Sequence, residues 1–193
     1  IELDTTGVDS FVVVRGGDGA DQVQIDNVAG DGVDVGSAGS HLLVEGEVGS
    51  DIIRLESSQV GSMVHLRGGG NTADFANDTI EIGRESKRLD LLRGTLLVDG
   101  DDHRPDDLHG VRSGLFTEPT LPYTIGDGLV EAPSVQMPRG DSLLIYDTND
   151  TANRRFVVTS QSLLRDTARI DYLDIEQLEL NTGTGNDLFE LFL

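Results

Sequence analysis

A short phrase recurs along the chain and sets the length scale of any fold it can adopt. Phe11-Val12-Val13-Val14 leads into Gly16-Gly17-Asp18-Gly19-Ala20-Asp21-Gln22-Val23-Gln24, and His41-Leu42-Leu43-Val44 leads into Gly46-Glu47-Val48-Gly49-Ser50-Asp51-Ile52-Ile53-Arg54. Near the other end, Leu178-Glu179-Leu180 leads into Thr182-Gly183-Thr184-Gly185-Asn186-Asp187-Leu188-Phe189-Glu190. Each copy reads as strand, glycine turn, aspartate, strand. A looser copy follows Val64-His65-Leu66 with Gly68-Gly69-Gly70 and delays its aspartate to Asp78. Asp21, Asp51 and Asp78 are thus spaced by 30 and 27 residues, the length of one coil built from three short strands and three turns. Repetition on that scale predicts an all-β solenoid, a right-handed parallel β-helix.

The rest of the chain fits this expectation except in one place. Segments such as Gln22-Val23-Gln24-Ile25-Asp26 alternate with period two, and the apolar residues are mostly Val, Leu and Ile, which stack in ladders. Short strands are expected at Ile1-Leu3, Val33-Val35, Ile52-Leu55, Met63-Leu66, Ile80-Ile82 and Leu96-Val98, with Ser86 to Arg93 an irregular turn. All five prolines, Pro105, Pro119, Pro122, Pro133 and Pro138, fall between residues 100 and 140. Proline cannot donate to a ladder, so 100–140 reads as an insertion on the side of the solenoid, with a small hairpin around Tyr123-Thr124-Ile125 and Leu129-Val130. After Gly140, Arg155-Phe156-Val157-Val158-Thr159 and Ile170-Asp171-Tyr172 read as further regular coils.

The two ends share a phase: Ile1-Glu2-Leu3 and Asp9-Ser10-Phe11 lie on Leu178-Glu179-Leu180 and Asp187-Leu188-Phe189. Residues 1–193 are therefore expected to be one solenoid unit of a longer tandem array, its ends covered by neighbouring units of the same chain. No apolar run approaches the roughly 20 residues that span a bilayer as a helix.

Charge narrows the partners. Thirty-five acidic against 14 basic residues give a formal charge of −21, which repels nucleic acid and anionic membranes. Cations are the natural counterpart, above all calcium with its oxygen ligands, although an acidic surface also keeps a secreted protein soluble. There is no cysteine, which excludes disulfides and thiolate metal sites. If Asp21 and Asp51 stack one coil apart, their side chains lie about 4.8 Å from each other and repel. A bridging calcium ion, backbone N–H donors, or pairing as an acid/base couple would each resolve this. Repetition speaks against catalysis, which needs a site once. The metal-ligand candidates are Asp18, Asp21, Asp51 and Asp187 in the phrase, Asp99, Asp101 and Asp102 at the start of the insertion, and Asp147 and Asp150 in a later Asp-rich turn. Phe116 and Tyr123 are the insertion's candidates for stacking on a glycan. Arg15, Arg54 and Arg67 each follow an apolar run, where an outward guanidinium reaches a carboxylate on the next coil. His41 and His65 lie in strands, and no Gly-x-Ser-x-Gly elbow is present. An enzyme is not expected; the rival reading is a carbohydrate-active β-helix, a polysaccharide lyase or hydrolase, or a glycan-binding module.

Residues 16–24 match the nonapeptide of RTX proteins, Gly-Gly-x-Gly-x-Asp-x-apolar-x, at every defined position, although here the copies are single and about 30 residues apart. Asp141-Ser142-Leu143-Leu144-Ile145-Tyr146-Asp147-Thr148-Asn149-Asp150, Phe156 to Thr159, Ile170 to Tyr172 and Ile175 to Asp187 resemble the repeat unit of very large calcium-binding or adhesin-like surface proteins of marine bacteria. Similar segments occur in adhesive trail proteins of diatoms. The resemblance implies a secreted or cell-surface, elongated protein acting in adhesion or matrix, calcium-stabilised, with polysaccharide or solid surfaces as partners.

Overall fold

The computed structural model of the protein describes residues 2–4, 11–28, 41–69, 77–100, 124–125, 128–129, 140–166 and 168–192. They are all-β apart from a single 3₁₀ turn at Leu89–Leu91. The chain passes back and forth between two sheets. β1 (Glu2–Asp4) lies in the first and β2 (Phe11–Asp18) in the second; β3 (Gln22–Asn27), β5 (Ile52–Leu55) and β7 (Thr79–Ile82) return to the first. Between them β4 (His41–Val48), β6 (Met63–Arg67) and β8 (Thr95–Asp99) return to the second. Each return lies beside the previous strand of its sheet and parallel to it. A third side is marked by parallel bridges that join Val28 to Ser58 and Ser58 to Leu92.

Within residues 100–140 only a short antiparallel pair is described, β9 (Thr124–Ile125) with β10 (Gly128–Leu129), where the sequence places a hairpin. The expected strand at Val33-Val35 lies outside the described residues. Beyond the insertion, β11 (Ser142–Asp147) takes its place beside β7, and β15 (Gln177–Thr182) beside β11.

Period-two alternation turns one side of every strand inward, and parallel register stacks those residues into columns. In the first sheet the register runs Leu3, Ile25, Leu55, Ile82, Ile145, Leu180. In the second it runs Val12, Leu42, Val64, Leu96, Ile170, Leu163, Val158, Leu191. The buried members of both columns join Val28, Leu89 and Leu92 in one core. Unbranched aromatic bulk is scarce because like β-branched and leucyl side chains nest on their own copies 4.8 Å away.

One expectation is corrected. The segments at 155–159 and 170–172 do not continue the regular passes. β12 (Arg155–Thr159), β13 (Ser162–Arg165) and β14 (Ala168–Leu173) form an antiparallel meander within the second sheet, with β14 parallel to β8 and β12 parallel to β16 (Leu188–Phe192). The links decide this: β12 and β13 are joined by Ser160-Gln161, and β13 and β14 by residues 166–167, with Asp166 at φ 51°. Two residues close a hairpin, whereas a parallel return needs a dozen or more. The Tyr172 hydroxyl ties the meander shut by donating to the Thr159 carbonyl at 2.5 Å.

Truncating the fully buried Leu55 or Ile82 to alanine opens a cavity in a column and is expected to cost about 2–5 kcal/mol by urea unfolding. Met63→Ala, on the outward face and half exposed, is expected to cost under about 1 kcal/mol.

Candidate functional site: a carboxylate ladder at one corner

The recurring aspartates meet at the corner where the chain leaves the second sheet for the first. Each stands immediately before a first-sheet strand: Asp21 before β3, Asp51 before β5, Asp78 before β7, Asp141 before β11 and Glu176 before β15. The N–H of Asp21 donates to Asp51 Oδ1 at 2.8 Å, that of Asp51 to Asp78 Oδ1 at 2.8 Å, that of Asp78 to Asp141 Oδ1 at 2.8 Å, and that of Asp141 to Glu176 Oε2 at 2.7 Å. The carbonyls of the same residues accept from the neighbouring pass: Ile52 N–H donates to Asp21, Thr79 to Asp51, Ser142 to Asp78 and Gln177 to Asp141. A corner residue has no strand carbonyl opposite its N–H, so the next pass supplies a side-chain oxygen instead. Of the three resolutions of the stacked charge, backbone donors are the one seen.

Glycine follows from the same geometry. A Cβ on Gly16 would lie 2.6 Å from the Gly46 carbonyl oxygen and 3.0 Å from Asp21 Oδ2. A Cβ on Gly46 would run into the Gly68 carbonyl oxygen and Asp51 Oδ2. The second carboxylate oxygen thus packs against the glycine that opens its own corner, and Oδ2 of Asp21 and of Asp51 accepts no hydrogen bond. Burial pushes the Asp51 carboxyl above its ordinary pKa, the Asp21 N–H opposes the rise, and the Asp21 charge adds to it.

Asp187 performs the same task at the opposite corner. It stands before β16, and its Oδ1 accepts the N–H of Arg154, the residue before β12, at 2.9 Å. The remaining sequence candidates are dispersed. Asp18 is exposed at the end of β2. Asp99 ends a ladder of alternating charge on the outward face of the second sheet: Arg15 to Glu45 at 2.9 Å, Glu45 to Arg67 at 3.0 Å, Arg67 to Asp99 at 3.6 Å, all between residues in register. Arg54 likewise meets Glu81 at 2.5 Å on the first sheet, so all three outward guanidinium groups reach a neighbouring pass. The hydrogen bond from Arg15 holds the Glu45 carboxyl below its ordinary pKa against the effect of burial.

Asp147 is buried. It accepts the Leu89 N–H at 2.9 Å and faces Arg165 Nε at 2.9 Å, while the other end of that buried guanidinium contacts Asp150, which also binds Arg154 at 2.6 Å. The cation between Asp147 and Asp150 is therefore an arginine of β13, which ties the meander to β11 and to the turn before β12. Asp101, Asp102, Phe116 and Tyr123 lie outside the described residues. Among the described residues no three of His, Asp and Glu converge as a metal site would require. Asp51, Asp78 and Asp141 of the ladder are buried.

Sequence reasoning missed Asp141 and Glu176. Position signals them, since each directly precedes a first-sheet strand, but 40 residues between Gly100 and Asp141 hide the phrase, and Glu176 departs from it in residue type. Compared with family models, with curated proteins and with solved structures, the chain has no match in any of the three.

Asp51→Ala strands the Asp21 N–H and is expected to cost about 1–3 kcal/mol, Asp51→Asn less because an oxygen acceptor remains, and Asp18→Ala under about 0.5 kcal/mol. The raised Asp51 pKa fixes a sign. The folded state holds that proton more tightly than the unfolded chain, so ionisation costs stability above the folded pKa and the cost is relieved as pH falls through it. Wild type is therefore expected to gain on Asp51→Asn in urea midpoint as pH falls from neutrality toward the ordinary carboxylate pKa. A constant gap would remove the Asp51 carboxyl as a cause.

Proposed function

We propose that the chain is a right-handed parallel β-helix serving as a rigid structural and adhesive module of a long secreted or cell-surface protein. The observation that carries this reading is the corner ladder, a device repeated in each pass that fixes one coil on the next and does no chemistry of its own. Columns of Val, Leu and Ile inside and of Arg with Glu or Asp outside repeat in the same way, as a stack built for stiffness requires. Right-handedness follows from the general hand of connections between parallel strands. The likeness to RTX nonapeptides and to the repeats of marine surface adhesins and diatom trail proteins supports the extracellular setting. The Pro-rich stretch at 100–140, with Phe116 and Tyr123, is the part proposed to meet polysaccharide or a solid surface. Calcium is proposed to act from outside the ladder, as a counter-ion to an acidic surface, since the ladder carboxylates already have N–H donors and glycine packed against them.

Two measurements test this. The chain is expected to be retained saturably on immobilised neutral polysaccharide while leaving the polymer intact; release of reducing ends from it, or of unsaturated ends from a soluble uronate polymer, would instead favour the hydrolase or lyase reading. The melting temperature is expected to rise by a few degrees from EGTA to millimolar calcium, and equally with magnesium. A rise specific to calcium would place an ion within the fold.

A further inference from the structure

The outward side of the first sheet is mostly polar, and its side chains fall into rows that cross the passes. Gln24, Arg54, Glu81, Leu144 and Glu179 stand in register on β3, β5, β7, β11 and β15. In the next outward row, Tyr146 of β11 stands beside Asn181 of β15. Among the described residues Tyr146 is the one aromatic ring of this sheet, and it is partly exposed while its neighbours Ile145 and Asp147 turn inward. β11 lies between β7 and β15, so the ring is flanked on both sides within the sheet.

The polar groups around this ring are held in place. Glu81 is buried although it faces outward, and its Oε2 meets both Arg54 Nε at 2.5 Å and Arg84 Nη1 at 2.6 Å. Arg84 comes from the turn after β7, where Gly83 lies against the Tyr146 carbonyl oxygen, and its side chain stays 46% exposed. Glu56 fixes that turn, its carboxylate accepting the N–H of Glu85 at 3.0 Å and of Ser86 at 2.9 Å. Asn181 Nδ2 donates to Glu179 Oε1 at 3.0 Å. Burial pushes the Tyr146 hydroxyl above its ordinary pKa, and the charges that act on it are those of Glu81, Arg84, Glu179 and Arg54, two of each sign.

A ring with a polar tip, beside planar guanidinium, carboxylate and amide groups, can take the apolar face of a sugar and meet its hydroxyls in one plane. Charge decides which polymer fits. In a chain of formal charge −21, the local balance of two cations and two anions leaves a neutral polymer unopposed. Spacing favours a polymer over a single sugar: neighbouring passes are about 4.8 Å apart, close to the advance of one residue in an extended polysaccharide.

We propose that the outward face of the first sheet binds a neutral, extended polysaccharide laid along the stack, with one sugar on Tyr146 and its hydroxyls met by Arg84, Glu179 and Asn181. This rests on the adhesive-module reading above and adds a contact on the scaffold to the one assigned to the insertion. The test is retention of the full 193-residue chain on an immobilised β-glucan, galactan and mannan, with competition by their soluble oligosaccharides. On the polymer that retains wild type, Tyr146→Leu and Arg84→Gln are each expected to weaken binding about tenfold, while Tyr146→Phe, which keeps the ring, binds within about twofold of wild type. Met63→Ala, on the outward face of the other sheet, is expected to bind as wild type does. Circular dichroism and the urea midpoint check the fold of each variant, and Arg84 is exposed on a turn, so Arg84→Gln carries the test should Tyr146→Leu loosen the sheet. Wild-type retention in both Tyr146→Leu and Arg84→Gln would overturn the proposal; if Phe116→Ala with Tyr123→Ala then abolishes retention, the module reading stands with the insertion as its contact. A wild type retained on none of the three polymers would overturn the proposal together with the polysaccharide contact of that reading.

Discussion

The fold depends on one hydrogen bond, the N–H of the residue before each first-sheet strand donating to the carboxylate of its counterpart one pass on. That amide is buried where the strand has not yet begun, so no backbone carbonyl faces it, and an unmet donor there would cost about 1–3 kcal/mol. Aspartate is short enough to reach it at 2.8 Å with both residues in strand register. Glutamate does so only at Glu176 in the last pass, where the corner is less buried. Glycine is the other half of the device, because any Cβ would meet the carboxylate or a carbonyl of the next pass.

Because the corner is held by its two ends, the loop between them is free to vary. Four residues separate Gly16 from Asp21 and Gly46 from Asp51, nine separate Gly68 from Asp78, and forty separate Gly100 from Asp141. Loop-closure entropy grows only slowly with length, so a large insertion is tolerated at a corner that is otherwise satisfied. The chain therefore leaves the stack at Gly100 and rejoins it at the ladder residue Asp141, with β11 in register on β7.

Among the described residues, five arginines tie neighbouring strands of the stack together. Arg15, Arg54 and Arg67 bind carboxylates in register across passes, Arg155 binds Glu190 on β16 at 2.7 Å, and the buried Arg165 lies against both Asp147 and Asp150. A buried guanidinium is stable only with its charge met, and here two carboxylates and the turn before β12 meet it. With these arginines paired, the excess of acidic residues, a formal charge of −21, sets the field of the chain.

The sequence by itself determined the inward columns, the outward arginine pairs and the corner position of Asp21, Asp51 and Asp78, because each follows from a period of two or from a repeat of about 30 residues; what those carboxylates bind at the corner it left open. It also located the hairpin near Thr124 and the break in regularity after Gly100. Only the tertiary structure decided the rest. Asp141 and Glu176 join the ladder through space, across an insertion and a change of residue type that no local pattern spans. Asp187 carries the same phrase as Asp21 yet caps the opposite corner, since the phrase specifies a turn before a strand and not which sheet that strand enters. The meander at 155–173 has the alternation of regular passes, and its two-residue links, read against the distance a parallel return must cover, are what turned it antiparallel.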